Sequence, residues 1–471
     1  MTIEPDISES GEFRPDPFAL RGVDDHLNPL WIDRLRTALG AEDVGDLADM
    51  MEPLHASDAG DVLEALEADE RVQLVQLLGD RFDYLALTEV DDTIRSDLID
   101  ELPSADVARG VAALENDDAV YILEDIEAKE REEILAQLPA FERLSLRRSL
   151  DFPEDSAGRR MQTDFIAIPP FWTVGQTIDY LRGEDDLPED FFQLYVVDPG
   201  YRVLGLIPLD KFLRAKRELR IEDLMTRDAL TVAATVDQEE AARDFERYDL
   251  VEVGVVDENQ RLVGVLTVDD MVDVINEEAT EDIKRMGGVG DEEISDNVFR
   301  AVRSRTPWLV VNLFTAILAS LVISLFDATI EQMVVLAALM PIVASMGGNA
   351  GTQTMTVTVR ALATRDLDRG RVARLIRREM LGGFLNGCIF AVLIGGLTTL
   401  RYGNPGLGAV IGGAMIVNMV AAGSAGILIP LALNRLRVDP AVASSVFVTT
   451  VTDVVGFFSF LSFAALWFQL F

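Results

Sequence analysis

The chain has 471 residues and a formal charge of −40, and its first 306 residues carry a net charge of −43, because only 7 acids and 10 arginines follow them. This acidity excludes nucleic acid as the main partner and favours cations, while one cysteine and two histidines exclude a disulfide framework and disfavour thiolate or histidine metal sites. Only 4 of the 41 basic residues are lysines, and this composition is typical of halophilic proteins, in which salt screens the repulsion between carboxylates.

A polar segment and a series of short amphipathic helices come first along the chain. Residues 1–30 are polar and contain four prolines, so they are predicted not to order on their own. Across residues 31–155, leucines recur at helical spacing, with breaks at Gly79, Pro103 and Pro139. The clearest helices are predicted over residues 61–78, 93–102, 118–126 and 131–138. Units of this length predict an α-helical superhelix, and a compact helical bundle is the alternative.

Residues 156–276 contain an internal duplication. The segment YVVDPGYRVLGLIPLDKFL at 195–213 aligns with GVVDENQRLVGVLTVDDMV at 254–272. Each copy predicts a strand, a tight turn, a strand and a helix, which is an α/β pattern. The pair resembles tandem CBS domains, a regulatory fold whose members often bind ATP or another adenine nucleotide. That resemblance implies that Thr267 and Asp270 contact the ribose, and a purely structural module is the alternative.

A connecting helix is predicted over residues 277–306, and a five-helix transmembrane domain over 307–471. The five apolar stretches, each long enough to cross about 30 Å of hydrocarbon, are residues 307–326, 331–358, 381–400, 407–433 and 441–468. Arginines cluster before the first stretch and after the second and fourth, which predicts a multi-pass protein of the cell membrane with a cytoplasmic N-terminus and an external C-terminus. No signal peptide is found ahead of the acidic region, which is therefore predicted to be cytoplasmic.

The second apolar stretch contains a polar and glycine-rich segment, GGNAGTQ, at residues 347–353. This segment predicts irregular backbone that lines a watery cavity, because lipid cannot satisfy free backbone groups. Backbone carbonyls and side-chain oxygens, including that of Asn349, are then ligands for a cation or its water shell. The predicted pore-lining residues are Gly347, Gly348, Asn349, Gly351, Thr352, Gln353 and, from the fourth stretch, Asn418. A close-packed helix seam of small residues is the alternative.

The fifth apolar stretch has a single ionisable residue, Asp453, near its middle. A carboxylate at that depth is unfavourable in lipid and indicates an ion or proton path. Asp439 lies at the cytoplasmic end of the same stretch, where it is placed to attract cations. Both are predicted ligands of a permeating ion, and a protonated structural carboxyl is the alternative for Asp453.

The order of these regions resembles the MgtE family of magnesium transporters, most specifically at residues 150–158, at 347–353 with 360–366, and at 438–440 with 452–453. The resemblance implies a homodimeric channel whose pore lies on the two-fold axis, with Asp453 facing hydrated Mg²⁺. It also implies that cytoplasmic carboxylates bind Mg²⁺ and close the pore. The implied sensor positions are Asp237, Glu239, Asp249, Asp270, Asp273, Glu278, Glu281 and Asp282, with Asp117 and Asp118 in the helical region.

Helical spacing supports part of this sensor set. One face of a helix over residues 267–283 carries four carboxylates: Asp270, Asp273, Glu277 and Glu281. Like charges at this spacing repel each other unless a cation bridges them. The helix is predicted to continue to Arg303 and to enter the membrane. A solvated, salt-adapted surface is the alternative.

The leading prediction is therefore a magnesium-selective channel or transporter for Mg²⁺ uptake, gated by cytoplasmic Mg²⁺, and not an enzyme. Mg²⁺ keeps several waters and prefers oxygen ligands, which suits a path without histidine or cysteine. One alternative is a broader Mg²⁺/Co²⁺ transporter coupled to protons through Asp453, and another is a membrane nucleotide sensor without a pore. An intramembrane enzyme is disfavoured, because no HExxH motif is present and one deep carboxylate provides no acid–base pair.

Overall fold

The computed structural model describes residues 18–22, 25–124, 126–184, 187–188, 191–289, 292, 298–364, 369–436 and 438–469. The predictions for residues 1–17, for 290–291 and 293–297 in the connecting segment, and for 365–366 lie outside these residues. Two compact units are present, an acidic unit up to Asn276 and a membrane unit from Glu277 onward.

The acidic unit begins with nine short helices: α1 Pro29–Gly40, α2 Val44–Met51, α3 Ala56–Ala65, α4 Ala68–Leu78, α5 Asp92–Glu101, α6 Ser104–Val111, α7 Asn116–Glu124, α8 Ala128–Leu135 and α9 Ala140–Leu150. Their apolar faces join in one continuous core that runs from Trp31 to Leu146. Pro103 and Pro139 are the N-caps of α6 and α9, as their inability to continue a helix predicts. The superhelical prediction is confirmed for this region.

The prediction of a single helix over residues 61–78 is wrong. The helix ends after Ala65, and Leu66 is extended. Glu67 then begins α4 through a capping box, in which its side chain accepts from the Glu70 backbone and the Glu70 carboxylate accepts from the Glu67 N–H at 3.0 Å. This cap satisfies backbone donors that a continuous helix would have used, so apolar periodicity alone did not reveal the break.

Two three-stranded sheets follow in the acidic unit. The strands are β1 Ala167–Ile168, β2 Gln193–Val197, β3 Val203–Pro208, β4 Thr231–Ala233, β5 Glu252–Val256 and β6 Leu262–Thr267. The accompanying helices are α10 Val174–Gly183, α11 Leu209–Leu213, α12 Ile221–Leu224, α13 Gln238–Tyr248 and α14 Val268–Met286. In each sheet the middle strand is parallel to the first and antiparallel to the third. This repeated topology matches the duplication predicted from the sequence.

The two copies exchange short segments. Gln162, which precedes the first sheet, pairs with Val265 of β6, and Thr226, which precedes the second sheet, pairs with Leu206 of β3. The Gln162 N–H donates to the Val265 carbonyl at 2.9 Å, and the Val265 N–H donates back at 2.9 Å. Each copy therefore completes the edge of the other.

The membrane unit contains α15 Val298–Ser324, α16 Asp327–Gln332, α17 Val335–Thr364, α18 Arg369–Tyr402, α19 Pro405–Arg435 and α20 Pro440–Phe468. Five of these helices are long and apolar enough to cross a membrane, which confirms the five predicted spans. The prediction that the connecting helix continues to Arg303 is wrong, because α14 ends at Met286. Gly288 follows with φ +72°, a conformation that glycine adopts without a Cβ clash.

Helix α19 lies at the centre of the membrane unit and packs against α17, α18 and α20. Small residues permit the close crossings. A Cβ on Gly383 of α18 would approach the Met419 carbonyl oxygen to 2.6 Å, and one on Gly423 of α19 would approach the Glu379 carbonyl oxygen to 3.0 Å. In lipid, no hydrophobic driving force acts between helices, so close packing of this kind holds them together.

Candidate ion path and cation sites

The glycine-rich segment lies in the middle of α17, which is a continuous helix from Val335 to Thr364. The prediction of irregular backbone with free carbonyl groups is therefore wrong. The glycines instead allow close packing, because a Cβ on Gly347 would overlap the Asn418 amide and one on Gly351 would approach Val448 to 2.5 Å. For these two glycines the geometry favours the helix seam that was the alternative.

The open face of α17 carries a polar stripe. Asn349, Thr352, Gln353 and Thr356 are all exposed and follow the i, i+3, i+4, i+7 spacing of one helical face. The Thr352 hydroxyl donates to the Gly348 carbonyl at 3.0 Å, so its hydrogen is used within the helix and its lone pairs stay open. Thr356 was missed by the sequence analysis, although its helical spacing from Gln353 provided the signal. Polar groups on an outer face are unfavourable in lipid and indicate water or protein there.

Asp453 lies in α20, beside the helix that carries the polar stripe. Gly348 of α17 lies against Thr449 and Thr452 of α20, with a Cβ position 3.3 Å from Thr449 Cγ2 and 4.0 Å from Thr452 Oγ1. Asp453 directly follows this contact and is partly exposed. Within the described part of the chain, its carboxylate accepts no hydrogen bond and pairs with no cation. A carboxylate without a partner inside a membrane span is unfavourable unless it binds a cation or a proton.

Asn418 of α19 is fully buried, with 0% exposure. Its amide Nδ2 donates to the Val343 carbonyl of α17 at 2.8 Å, and its Oδ1 has no partner among the described residues. Gly347 and Gly456 lie against the same amide. The structure therefore places Asn418 at a contact between helices, while its predicted pore-lining role stays a prediction.

A second group of predicted ligands surrounds Arg285 near the end of α14. Asp439, the N-cap of α20, accepts from the Ala441 N–H at 2.8 Å and from Arg285 Nη1 at 2.6 Å. Arg285 also pairs with Glu281, one turn earlier on its own helix. Burial, and then the nearby Asp439 carboxylate, raise the pKa of Asp282. Two carboxylates thus pair with one arginine, and a third, that of Asp282, lies near Asp439. Arg285 was not predicted from the sequence, although its i+4 spacing from Glu281 was visible.

The third group lies in the acidic unit, where α7 meets α14. Asp117 is 8% exposed, and burial, followed by the Asp270 carboxylate, raises its pKa well above the usual range. Burial and Asp270 raise the pKa of Asp118 to about 7, and burial raises that of Asp270 to about 6. Asp117 and Asp270 lie within hydrogen-bonding reach of each other, and simultaneous ionisation of two buried carboxylates this close is unfavourable.

The remaining predicted sensor residues have local contacts of their own. Asp237 caps α13 by accepting from the Glu239 N–H at 2.9 Å, and Glu239 pairs with Arg243 at 3.3 Å. Asp249 ends the same helix with φ +52°. Asp273 lies at the surface of α14, where partial desolvation, followed by the Glu89 carboxylate, raises its pKa. Glu278 lies on α14, one turn before Asp282. Among the described residues, no group of three or more carboxylate, histidine or cysteine side chains forms a ready-made metal site.

The two predicted ribose contacts bind each other. Thr267 Oγ1 donates to Asp270 Oδ2 at 2.5 Å, at the junction of β6 and α14. Because Asp270 also contacts Asp117, a nucleotide and the carboxylate group would use the same side chain. Nucleotide binding stays a prediction.

Comparisons with known proteins connect these regions. The profile of the MgtE divalent cation transporter matches residues 340–463, that of the MgtE intracellular N domain matches residues 54–155, and that of the CBS domain matches residues 221–277. The chain is 33% identical over 344 residues to the magnesium transporter MgtE of Bacillus subtilis, covering 73% of this chain and 76% of that protein. It is 35% identical over 321 residues to the magnesium transporter MgtE of Thermus thermophilus, covering 67% of this chain and 70% of that protein. A crystal structure of the cytosolic domain of the Mg²⁺ channel MgtE in complex with ATP aligns with 27% identity and a TM-score of 0.48, covering 52% of this chain and 99% of that chain.

Proposed function

The chain belongs to the MgtE family of magnesium transporters, and from this premise we propose that it carries Mg²⁺ across the cell membrane along the open face of α17. The observation that carries the proposal is the polar stripe with Asn349 and Gln353, next to the unpaired carboxylate of Asp453. The stripe is exposed, and Asp453 is partly exposed. They are unfavourable in lipid, so they need an aqueous path or a second protein surface.

The chemistry of this path suits hydrated Mg²⁺. Amides, hydroxyls and one carboxylate are oxygen ligands, which Mg²⁺ prefers. Mg²⁺ gives up its waters reluctantly, so side chains that hydrogen-bond to a hydrated ion are more useful here than a closed cage. Soft ligands that would select zinc or copper are absent from the described part of this face.

A homodimer is part of the proposal. In one chain the polar stripe is open, whereas two copies related by a two-fold axis would place two stripes and two Asp453 carboxylates around one path. The proposed domain division has a polar N-terminal segment at residues 1–30, a helical domain at 31–155 and paired α/β domains at 156–276. A connecting segment follows at 277–306 and a membrane domain at 307–471. The N-terminus is proposed to be cytoplasmic and the C-terminus external.

Gating by cytoplasmic Mg²⁺ completes the proposal. Asp117, Asp118 and Asp270 are brought together in a partly buried position where full ionisation is unfavourable. A divalent cation that binds there would replace the shared protons and favour the packed arrangement of α7 and α14. Because a ligand shifts an equilibrium only by its differential affinity, Mg²⁺ then closes the pore only if the open state separates these helices.

The test is Mg²⁺ flux into proteoliposomes that contain the full chain. Asp453→Asn is expected to reduce flux at least tenfold, because it removes the only charge in the fifth span while preserving its size. Asp327→Asn is the matched control, since Asp327 is an exposed acid at the first turn of the short helix α16. Equal flux in Asp453→Asn and wild type would refute the proposed path.

The alternatives give different results in the same assay. A proton-coupled Mg²⁺/Co²⁺ transporter would change the pH of the vesicle lumen as the metal enters, and its flux would depend on an imposed pH gradient. A nucleotide sensor without a pore would show no flux in either protein.

A further inference from the structure

A groove of about 620 Å³ lies on the outer surface of the membrane unit, between the first half of α18 and α19. Its floor is apolar and exposed: Met380, Leu381 and Phe384 of α18 are 43%, 57% and 48% exposed, and Val420 of α19 forms the opposite side. Arg377 lies at one end of this floor. The polar stripe of α17 is not part of the groove.

The groove has the form of a charged end followed by an apolar track. Arg377, Leu381 and Phe384 follow the i, i+4, i+7 spacing of one helical face, so the track continues for about 10 Å at 1.5 Å per residue. The close approach of Gly383 and Gly423 to the neighbouring backbones holds α18 tightly against α19, which makes the groove a fixed feature of the fold.

The guanidinium of Arg377 is available to a ligand. Within the described residues, it makes no hydrogen bond or ion pair, and it is exposed. The nearest acid in the sequence, Glu379, is engaged elsewhere, because it accepts from Thr354 Oγ1 at 3.3 Å and lies 3.5 Å from the neighbouring Arg378. A free arginine beside an apolar track on a membrane helix is complementary to an anionic lipid.

We propose that this groove is a binding site for an anionic phospholipid, with the phosphate on Arg377 and one acyl chain along Leu381, Phe384 and Val420. A second copy of the chain is the competing occupant of the same face. It would cover Arg377 together with the apolar track, and burying an arginine without a carboxylate is unfavourable. Lipid avoids this penalty, because its phosphate neutralises Arg377 while the chain covers the track.

The experiment is native mass spectrometry of the full chain in detergent, titrated with phosphatidylglycerol or with phosphatidylcholine of identical acyl chains. Wild type is expected to prefer phosphatidylglycerol about fivefold, the factor expected for one arginine at an anionic surface. Arg377→Gln is expected to remove the preference, and Arg377→Lys to retain most of it. The matched control is Arg401→Gln, at the opposite end of the same helix, which should leave the preference unchanged.

Two further arms separate the sources of the effect. Phe384→Ala is expected to weaken both lipids equally, since it shortens the apolar track. Inorganic phosphate is expected not to displace phosphatidylglycerol, and full displacement would overturn a lipid site. The proposal is also overturned if Arg377→Gln keeps the preference, or if it changes only the oligomeric mass, which would assign this face to a second copy.

Discussion

Asn349 and Asn418 show that one residue type can have two roles within the same membrane unit. Asn349 is exposed on the polar stripe of α17, while Asn418 is fully buried and donates across to the Val343 carbonyl. Both were predicted from the sequence to line a pore, because an asparagine inside an apolar stretch gives the same pattern whether it is exposed or buried between helices. Only packing distinguishes an exposed amide from one that joins two helices.

Alanine substitution should separate these roles. Asn418→Ala is expected to destabilise the chain by about 1–3 kcal/mol, because it leaves a gap and removes a buried interhelical hydrogen bond. Asn349→Ala is expected to leave stability within about 0.5 kcal/mol and to lower Mg²⁺ flux. The measurements are thermal unfolding in detergent and flux in proteoliposomes. Equal stability of the two variants would contradict the assignment.

At the scale of the element, α17 illustrates what apolar patterns reveal and what they conceal. The existence of five spans could be predicted, since length and hydropathy alone decide whether a helix can cross a bilayer. The continuity of α17 through its glycines could not, because glycine permits both a break and a close helix contact. Whether these glycines break the helix or pack closely depends on Asn418 and Val448, which lie against Gly347 and Gly351 and are distant in sequence.

Substitution at Gly351 should therefore act through packing. Gly351→Ala places a methyl group 2.5 Å from Val448 Cγ1, and overpacking of this kind is expected to cost about 1–3 kcal/mol. Gly382→Ala is the control, since no atom lies within 4 Å of the corresponding Cβ on α18. Thermal unfolding of both variants checks the prediction, which fails if Gly351→Ala is as stable as Gly382→Ala.

Helix α14 contributes a second prediction at this scale, because its end is anchored to the rest of the membrane unit. Met286 packs against the apolar cluster of α17 and α20, and Arg285 pairs with Asp439. Arg285→Gln leaves Glu281 and Asp439 without this cation. At low Mg²⁺ the variant should be cleaved faster after Met286, and Mg²⁺ should restore protection by replacing the arginine.

Limited proteolysis of the full chain, with and without millimolar Mg²⁺, measures this effect. Arg435→Gln, which removes an exposed cation at the end of α19 in the same unit, is the control and should behave as wild type. If Arg285→Gln is cleaved as slowly as wild type without Mg²⁺, the ion pair does not hold the end of α14.

At the scale of the whole molecule, the regions were predictable and the meeting points of their side chains were not. Periodicity, the duplication and hydropathy identify a helical series, a repeated α/β unit and a membrane bundle. They do not reveal that Asp117 of α7 meets Asp270 of α14, which are separated by more than 150 residues of sequence. Asp117 was expected only through the family resemblance, whereas Asp270 was also on the acidic face of the predicted helix, and no local pattern joins the two residues.

The Asp117, Asp118 and Asp270 group predicts a pH-dependent response to Mg²⁺. The pKa values of Asp118 and Asp270 are raised to about 7 and about 6, so the packed state without metal favours protonated carboxyls. Their contribution to packing is present at low pH and is lost as the pH rises through 6 to 7. Mg²⁺ should thus protect α7 strongly at pH 8 and weakly at pH 5.5, where protons compete with it.

Hydrogen exchange of the α7 amides in the full chain, corrected for intrinsic rates, measures this protection. Asp118→Asn removes one titrating group and should flatten the pH dependence. A Mg²⁺ effect of equal size at both pH values would show that these carboxyls do not bind the ion.

The exchanged segments of the duplicated region have a consequence for how the chain is synthesised. Strand β3 emerges from the ribosome before Thr226, the residue that completes its edge, and Gln162 emerges about a hundred residues before its partner Val265. The first copy can therefore pair its β3 edge only after Thr226 has emerged, and its Gln162 segment has no partner until β6 has been made. The Gln162 segment of the first copy stays unpaired until β6 has been made, so the two copies should reach their final structure together. A ribosome that stalls between them would leave this pairing segment open to aggregation.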